Sequence, residues 1–276
     1  MTILVTGATG KVGRHVLAQL TESGYPTRAA SRRAPIGFDW TEPDTWGRAL
    51  AGVEKIFTVV PGGDDGHRSV RGLGARTCAF LDMAQDAGVT TVVLMTAMGM
   101  QYAPTSVEQR AVELHLQNTD MRWTILRPNW FFQNLTEGPL RDLATAGDGV
   151  LRLPTGGARV SFIDAEDIAA CAVTALVGDH SAREFDLTGA EALTFSEVAA
   201  LTARSRIPLS GYEDSTVQQF HALASRLGWH REYITTLAGL FDAIASGANA
   251  PVVPDASDLL GRPTRRLSQF VAEATP

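Results

Sequence analysis

Lysine is nearly missing from this chain: of 24 basic residues in 276, only Lys11 and Lys55 are lysines and the rest are arginines. Any chemistry that needs a lysine amine therefore has two addresses at most. Cysteine is as scarce, with Cys78 and Cys171 alone. Each sits in an apolar segment of helical pattern, so both read as buried small hydrophobes, and a disulfide framework is excluded. There is no basic run and the net charge is -6, which removes the electrostatic footprint of a nucleic-acid binder. No apolar stretch approaches the roughly 20 residues of a membrane helix, and residues 2–6 open into glycines without a charged leader, so a cytoplasmic protein with no membrane partner is expected. The six histidines share no metal-ligand spacing and no G-x-S-x-G elbow occurs, so no metal and no serine-hydrolase chemistry is expected.

What is present is a rhythm of short apolar runs separated by segments of helical period, the pattern of βαβ units around a parallel sheet. Strands are predicted at 3–6, 27–30, 55–60, 92–95 and 123–127, with a weaker one at 37–39. Helices are predicted after residue 10, where Val12, Val16, Leu17 and Leu20 form one stripe ending at Gly24, and at 45–50, 73–87, 107–117, 168–177 and 195–204. Thr194 and Glu197 have capping-box spacing. After about residue 135 the rhythm loosens into Gly- and Pro-marked turns, followed by a mostly helical tail at 217–245. The expected class is α/β, a Rossmann-type doubly wound parallel sheet over 1–134 with a smaller C-terminal substrate lobe over 135–276, of which 161–177 and 185–188 return to the core.

The strongest local signal is Gly7-Ala8-Thr9-Gly10-Lys11-Val12-Gly13, lying between the first strand and the first helix. Gly7 permits a tight turn, Gly10 leaves backbone N–H groups open to a diphosphate, and Gly13 allows strand and helix to pack closely, while the helix N-terminus supplies unpaired donors. Gly7, Thr9, Gly10, Lys11, Val12 and Gly13 are thus candidate dinucleotide ligands. About 20 residues on, where an NAD site carries an acidic residue for the ribose 2′-hydroxyl, the sequence reads Ser31-Arg32-Arg33. Two guanidiniums and a hydroxyl suit a 2′-phosphate, and NADPH is the expected cofactor; two solvated arginines on a turn are the alternative. Pro61, after the run ending at Val60, is a candidate for the adenosine side of the cleft.

Five stretches carry a resemblance: the glycine loop, Phe38-Asp39-Trp40, the run from Trp123 through Leu126-Arg127-Pro128-Asn129-Trp130-Phe131-Phe132-Gln133 to Asn134, the run Val160-Ser161-Phe162-Ile163-Asp164-Ala165-Glu166-Asp167-Ile168-Ala169, and Phe185-Asp186-Leu187-Thr188-Gly189. With these, the chain resembles the NmrA-like atypical short-chain dehydrogenase/reductases, the branch of ergot-alkaloid dehydrogenase and quinone reductase types, nearly end to end. The resemblance implies an NADPH-dependent reductase or a non-catalytic NADP-sensing regulatory protein.

In ordinary short-chain dehydrogenases a Tyr-x-x-x-Lys pair donates the proton. Here Tyr102 is followed by Ser106 in place of the lysine, Thr96 is the only hydroxyl at its strand end, and Met98 stands where relatives often have a second one. Thr96 and Tyr102 remain the catalytic candidates, with Thr96 also beside the cofactor. Met98, Trp130, Phe131 and Asn134 are candidates for the substrate wall, large rings suiting a planar molecule. Asp164, Glu166 and Asp167 precede a helix and read as caps. The expectation is hydride transfer to a hydrophobic conjugated acceptor (quinone, enone or iminium), with a homodimer compatible.

Overall fold

The computed structural model describes residues 1–32, 34–60 and 72–274. In chain order its first half runs β1 (Thr2–Thr6), α1 (Gly13–Glu22), β2 (Thr27–Ala30), α2 (Trp46–Leu50), β3 (Val53–Val59), α3 (Leu73–Asp86), β4 (Thr91–Met95), α4 (Glu108–Gln117) and β5 (Arg122–Pro128). Then follow α5 (Pro139–Ala146), β6 (Val150–Leu153), β7 (Arg159–Val160), α6 (Ala165–Val177), β8 (Arg183–Leu187), β9 (Leu193–Thr194), α7 (Phe195–Thr202) and β10 (Gly211–Asp214). The chain finishes with α8 (Val217–Arg226), α9 (Arg231–Ala245), α10 (Asp255–Leu260) and α11 (Leu267–Glu273).

The central sheet has the order β2-β1-β3-β4-β5-β8, and every pairing in it is parallel. Its strands are apolar on both faces because both faces are covered. On β1, Ile3 and Val5 pack toward α1 and α6, whereas Leu4 packs with Trp46, Phe80 and Leu116 on the other face, as the two-residue period of a strand requires. Burying a leucine or valine of this kind contributes about 1.5–3 kcal/mol. The order reverses between β1 and β3, so their carboxyl ends open a crevice at the switch point, the usual ligand position in such sheets.

The weak strand expected at 37–39 is not one. Phe38 donates a single backbone bond to Ser31 O at 3.0 Å. Asp39 Oδ1 accepts from both the backbone N–H and the hydroxyl of Thr41, at 2.8 and 2.7 Å. That Asx turn takes the chain away from β2 before a ladder can form. Phe38 is still buried, edge-on to Phe80. β3 begins at Val53, two residues earlier than expected, and the helical tail is broken at Gly228 into α8 and α9.

The second core lies under the C-terminal segments, where Leu140, Leu151, Phe195, Phe220 and Phe241 meet beside the small β6–β10 and β7–β9 sheets. The chain crosses back to the central sheet twice: α6 packs on α1, and β8 pairs with β5. Asp164 caps α6 by accepting from Glu166 N at 2.9 Å, and Thr194 with Glu197 forms the expected capping box. Both cysteines are free, and burial pushes the Cys171 thiol up to about 12. Among the described residues no helix is long and apolar enough to cross a membrane, and no cluster of metal-ligating side chains occurs.

Candidate functional site

The glycine loop occupies the switch point. Gly7 has φ +60° and its carbonyl accepts from Gly10 N at 2.8 Å, closing the turn. A Cβ at Gly13 would stand 2.2 Å from that same carbonyl oxygen, so the helix can approach the strand this closely only with glycine. Val12, at the N-cap of α1, makes no side-chain capping bond; Arg14 N is bonded to Gly10 O at 3.2 Å and His15 N to Val12 O at 3.0 Å, so a donor for an outside acceptor has to come from the residues just before Arg14. Thr9 and Gly10 are exposed and Lys11 is half-buried. Underneath, Thr6 Oγ1 and Thr58 Oγ1 are 3.0 Å apart and link the ends of β1 and β3. The cradle fits a dinucleotide diphosphate: open donors, a cation at its lip and no Cβ in the way.

At the end of β2, Ser31 is half-buried and Arg32 exposed, with no carboxylate at the strand end. Arg33 and Pro61, both expected at the cofactor, lie outside the described residues.

Two tethers bind the glycine loop to the segment after β5. Lys11 Nζ donates to Asn134 Oδ1 at 3.1 Å, and Arg14, at the start of α1, pairs with Glu137 through Nη1 and Nη2, at 3.3 and 2.6 Å. Two residues singled out for different ligands, Lys11 and Asn134, thus meet directly. The aromatic run between them divides by alternation. Trp130 stacks on Phe241 with centroids 5.8 Å apart, and Phe132 is buried against Phe270; both serve the second core. Phe131 faces the other way, half-buried on the sheet core together with Val59 and Met95 at the ends of β3 and β4. Of the three rings it is the one on the side of the crevice.

Thr96 follows β4, its N–H bonded to Leu126 O at 2.9 Å, and Met98, half-buried, continues beside β5 with its N–H on Pro128 O at 3.0 Å. The Thr96 hydroxyl donates to Glu113 Oε1 at 2.6 Å. Glu113, fully buried on α4, also receives Arg127 Nε and Nη2, both at 2.9 Å, and Arg110 at 2.8 Å. Burial alone would raise the Glu113 pKa, but the bonds from Arg127, Thr96 and Arg110 outweigh it and hold the carboxyl below its ordinary value. Tyr102 is 86 % exposed on a 3-10 turn (Met100–Tyr102) and is not brought into this network.

The Glu113–Arg127 pair was not anticipated. Its signal was present, since Arg127 interrupts an apolar strand and a buried guanidinium requires a partner. Also unforeseen was a buried amide clasp, in which Asn129 Nδ2 donates to Ser161 Oγ and Asn249 O, each at 2.8 Å. Asn249 Nδ2 returns a bond to Asn129 Oδ1 at 2.8 Å, tying residue 249 to the end of β5. A cavity of about 450 Å³ beside β6 and β10 is lined by Arg152, Glu213, Arg226 and Leu223 among others; none of the site candidates borders it.

Comparison with known proteins agrees with this geometry. Residues 7–179 match the family described as NAD(P)H-binding. The NAD(P)H azoreductase of Xenophilus azovorans is 31% identical, over 97% of this chain and 96% of that protein. The (4-alkanoyl-5-oxo-2,5-dihydrofuran-3-yl)methyl phosphate reductase of Streptomyces griseus is 31% identical, over 98% and 97%. The crystal structure of an NADPH-dependent quinone oxidoreductase from Escherichia coli, complexed with NADPH, has the same fold, with a TM-score of 0.82 at 21% identity over 99% of both chains. The chain belongs to the NAD(P)H-binding family.

Proposed function

We propose that the protein is an NADPH-dependent reductase that passes hydride to a hydrophobic, conjugated small molecule such as a quinone, an enone or an iminium. With its diphosphate held at the glycine loop, the dinucleotide would supply the hydride from its nicotinamide. Gly7, Thr9, Gly10, Val12 and Gly13 offer backbone room and donors to the diphosphate, with Lys11 adding charge, and Ser31, Arg32 and Arg33 receive the 2′-phosphate. Phe131, with Met98 and Asn134, forms the acceptor's wall; the position of Trp130 against Phe241 gives it the supporting role of fixing that wall. Thr96 would lie beside the nicotinamide and could accept a hydrogen bond there.

One observation carries the choice of acceptor. The Thr96 hydroxyl proton is committed to a carboxylate held ionised by two arginines, and Tyr102 is exposed without a lysine four residues on. Neither is placed as a strong acid, so the acceptor must already be electrophilic. Its protonation is then left to solvent, and the protein contributes orientation and a dry cleft. The curated relatives named for azo and dihydrofuranone reduction act on unsaturated substrates, which supports the same class.

The test is NADPH oxidation, followed by absorbance, against a panel of quinones, enones and cyclic imines, with simple ketones as controls. Turnover on the panel and none on the ketones is expected, and Tyr102→Phe should retain nearly full activity. Loss of a positioned acid commonly costs about 10²–10⁴-fold, and a loss of that size in Tyr102→Phe overturns the mechanism. If NADPH binds but no acceptor is reduced, the NADP-sensing reading replaces it.

A further inference from the structure

Among the described residues, three buried side-chain oxygens have no hydrogen-bond partner, and two of them, Gln101 Oε1 and Asp186 Oδ1, belong to side chains already bonded to each other. Gln101 Nε2 donates to Asp186 Oδ2 at 3.1 Å. Gln101 lies on the turn that follows Met98, and Asp186 lies near the carboxyl end of β8. An unpaired buried acceptor is costly, so two on one contact call for a common explanation. A single proton supplies it: a carboxylic acid and a primary amide can exchange two hydrogen bonds, N–H to one carboxyl oxygen and O–H back to the amide oxygen.

We propose that Asp186 is a positioning residue held as the neutral acid, its Oδ1–H donating to Gln101 Oε1, so that the pair pins the Met98–Tyr102 connection to β8. The proposal concerns how the site is shaped and stands whichever acceptor is reduced.

The surrounding charges favour this state. From β5, Arg127 directs Nε and Nη2 to Glu113 and Nη1 to Glu184, the latter at 2.7 Å, so its bonds are spent elsewhere. Glu184 shares the sheet face with Asp186 on β8, and from α10 Asp255 Oδ2 accepts the Asp186 backbone N–H at 3.0 Å. Around Arg127 and Arg110 the carboxylates of Glu113 and Glu184 already balance the guanidiniums, with Asp255 beyond them; an ionised Asp186 would add a further negative charge in a buried place. Tyr102, the remaining titratable neighbour on the turn, is exposed. Burial, joined by Asp255 and Glu184, pushes the Asp186 carboxyl up despite the opposing Gln101 bond and Arg127 charge.

A raised folded-state pKa means the folded protein holds the proton more tightly than the unfolded chain. The stability it confers is full below the ordinary aspartate pKa and is lost as pH rises through the folded value. Asp186→Asn keeps both bonds, amide to amide, and removes the titration. Urea unfolding of wild type and Asp186→Asn across pH tests this, together with amide hydrogen exchange of residues 98–107 and infrared difference spectra of the two proteins. In that window the wild-type unfolding constant should rise roughly tenfold per pH unit relative to the variant, with faster exchange at 98–107 in wild type only. The variant should also lack the C=O stretch of a protonated carboxyl. Parallel unfolding curves, or an unchanged carboxyl band, overturn the proposal; either is the result for an ionised, hydrated Asp186.

Discussion

Replacing Gly13 by alanine would test whether the glycine loop is a cofactor cradle or merely a turn. The new Cβ would stand 2.2 Å from Gly7 O, 2.7 Å from Gly7 C and 3.2 Å from Ala8 Cα, all backbone atoms. The first contact is more than about 1 Å short of van der Waals separation, so loop or helix must shift by a comparable amount. The displaced carbonyl is the one that accepts from Gly10 N at 2.8 Å, and the strain therefore reaches the residue proposed to face the diphosphate. Overpacking of this kind costs about 1–3 kcal/mol of stability, and misplacing a site by about 1 Å can cost on the order of 10²-fold in function. Leu20→Ala is the matched control. It lies on the same helix, fully buried, and should cost about 2–5 kcal/mol while leaving the cofactor affinity of the folded protein intact. Calorimetric titration of NADPH into each variant, with urea unfolding in parallel, separates the two effects. A folded Gly13→Ala protein that binds NADPH as wild type does would refute the reasoning, since the close approach would then serve packing alone.

The cofactor preference should follow the end of β2: NADPH is expected to bind at least tenfold tighter than NADH, a difference of about 1.4 kcal/mol, and Arg32→Ala with Arg33→Ala should remove most of it by weakening NADPH. Equal affinities in wild type, by fluorescence titration, would leave the arginines as solvated turn residues. Glu113→Gln removes the fully buried one of Arg127's two carboxylate partners, leaving Glu184, and should destabilise the fold by about 3 kcal/mol at neutral pH, measured by urea unfolding. Because the Glu113 pKa is lowered in the folded state, its contribution is present above the unfolded carboxyl's pKa and lost as pH falls through the folded value; the two stability curves should converge on acidification, and a constant gap counts against the charge argument. Ala182, with φ +56°, sits in the left-handed region, and its N–H is bonded to Trp123 O at 2.8 Å. Ala182→Gly should therefore raise stability by about 1 kcal/mol, strain relief outweighing the added freedom of the unfolded chain; a lower denaturation midpoint would contradict it.

The sequence by itself determined whatever is local. Gly7, Gly10 and Gly13 announced a turn, an opening and a close approach because each consequence follows from a missing Cβ at a fixed spacing. Asp164 and Thr194 announced caps because each stands just before a helix with an acidic residue three positions on. The apolar runs announced a sheet covered on both faces. It misread 37–39, where Phe38 has the hydrophobicity of a strand but Asp39 and Thr41 close a turn that competes with the ladder. Tertiary structure alone decided what depends on distant segments meeting. Trp130, Phe131 and Phe132 look interchangeable in sequence, yet the extended backbone that continues from β5 sends Phe131 to the sheet core and the other two to the second core. Thr96 looked like a free hydroxyl until α4 brought Glu113 to it and β5 brought Arg127 to Glu113. Whether a side chain is available for chemistry is a question of which neighbours the fold delivers, because a buried donor or charge takes whatever partner is within reach, and that reach is not written in sequence spacing.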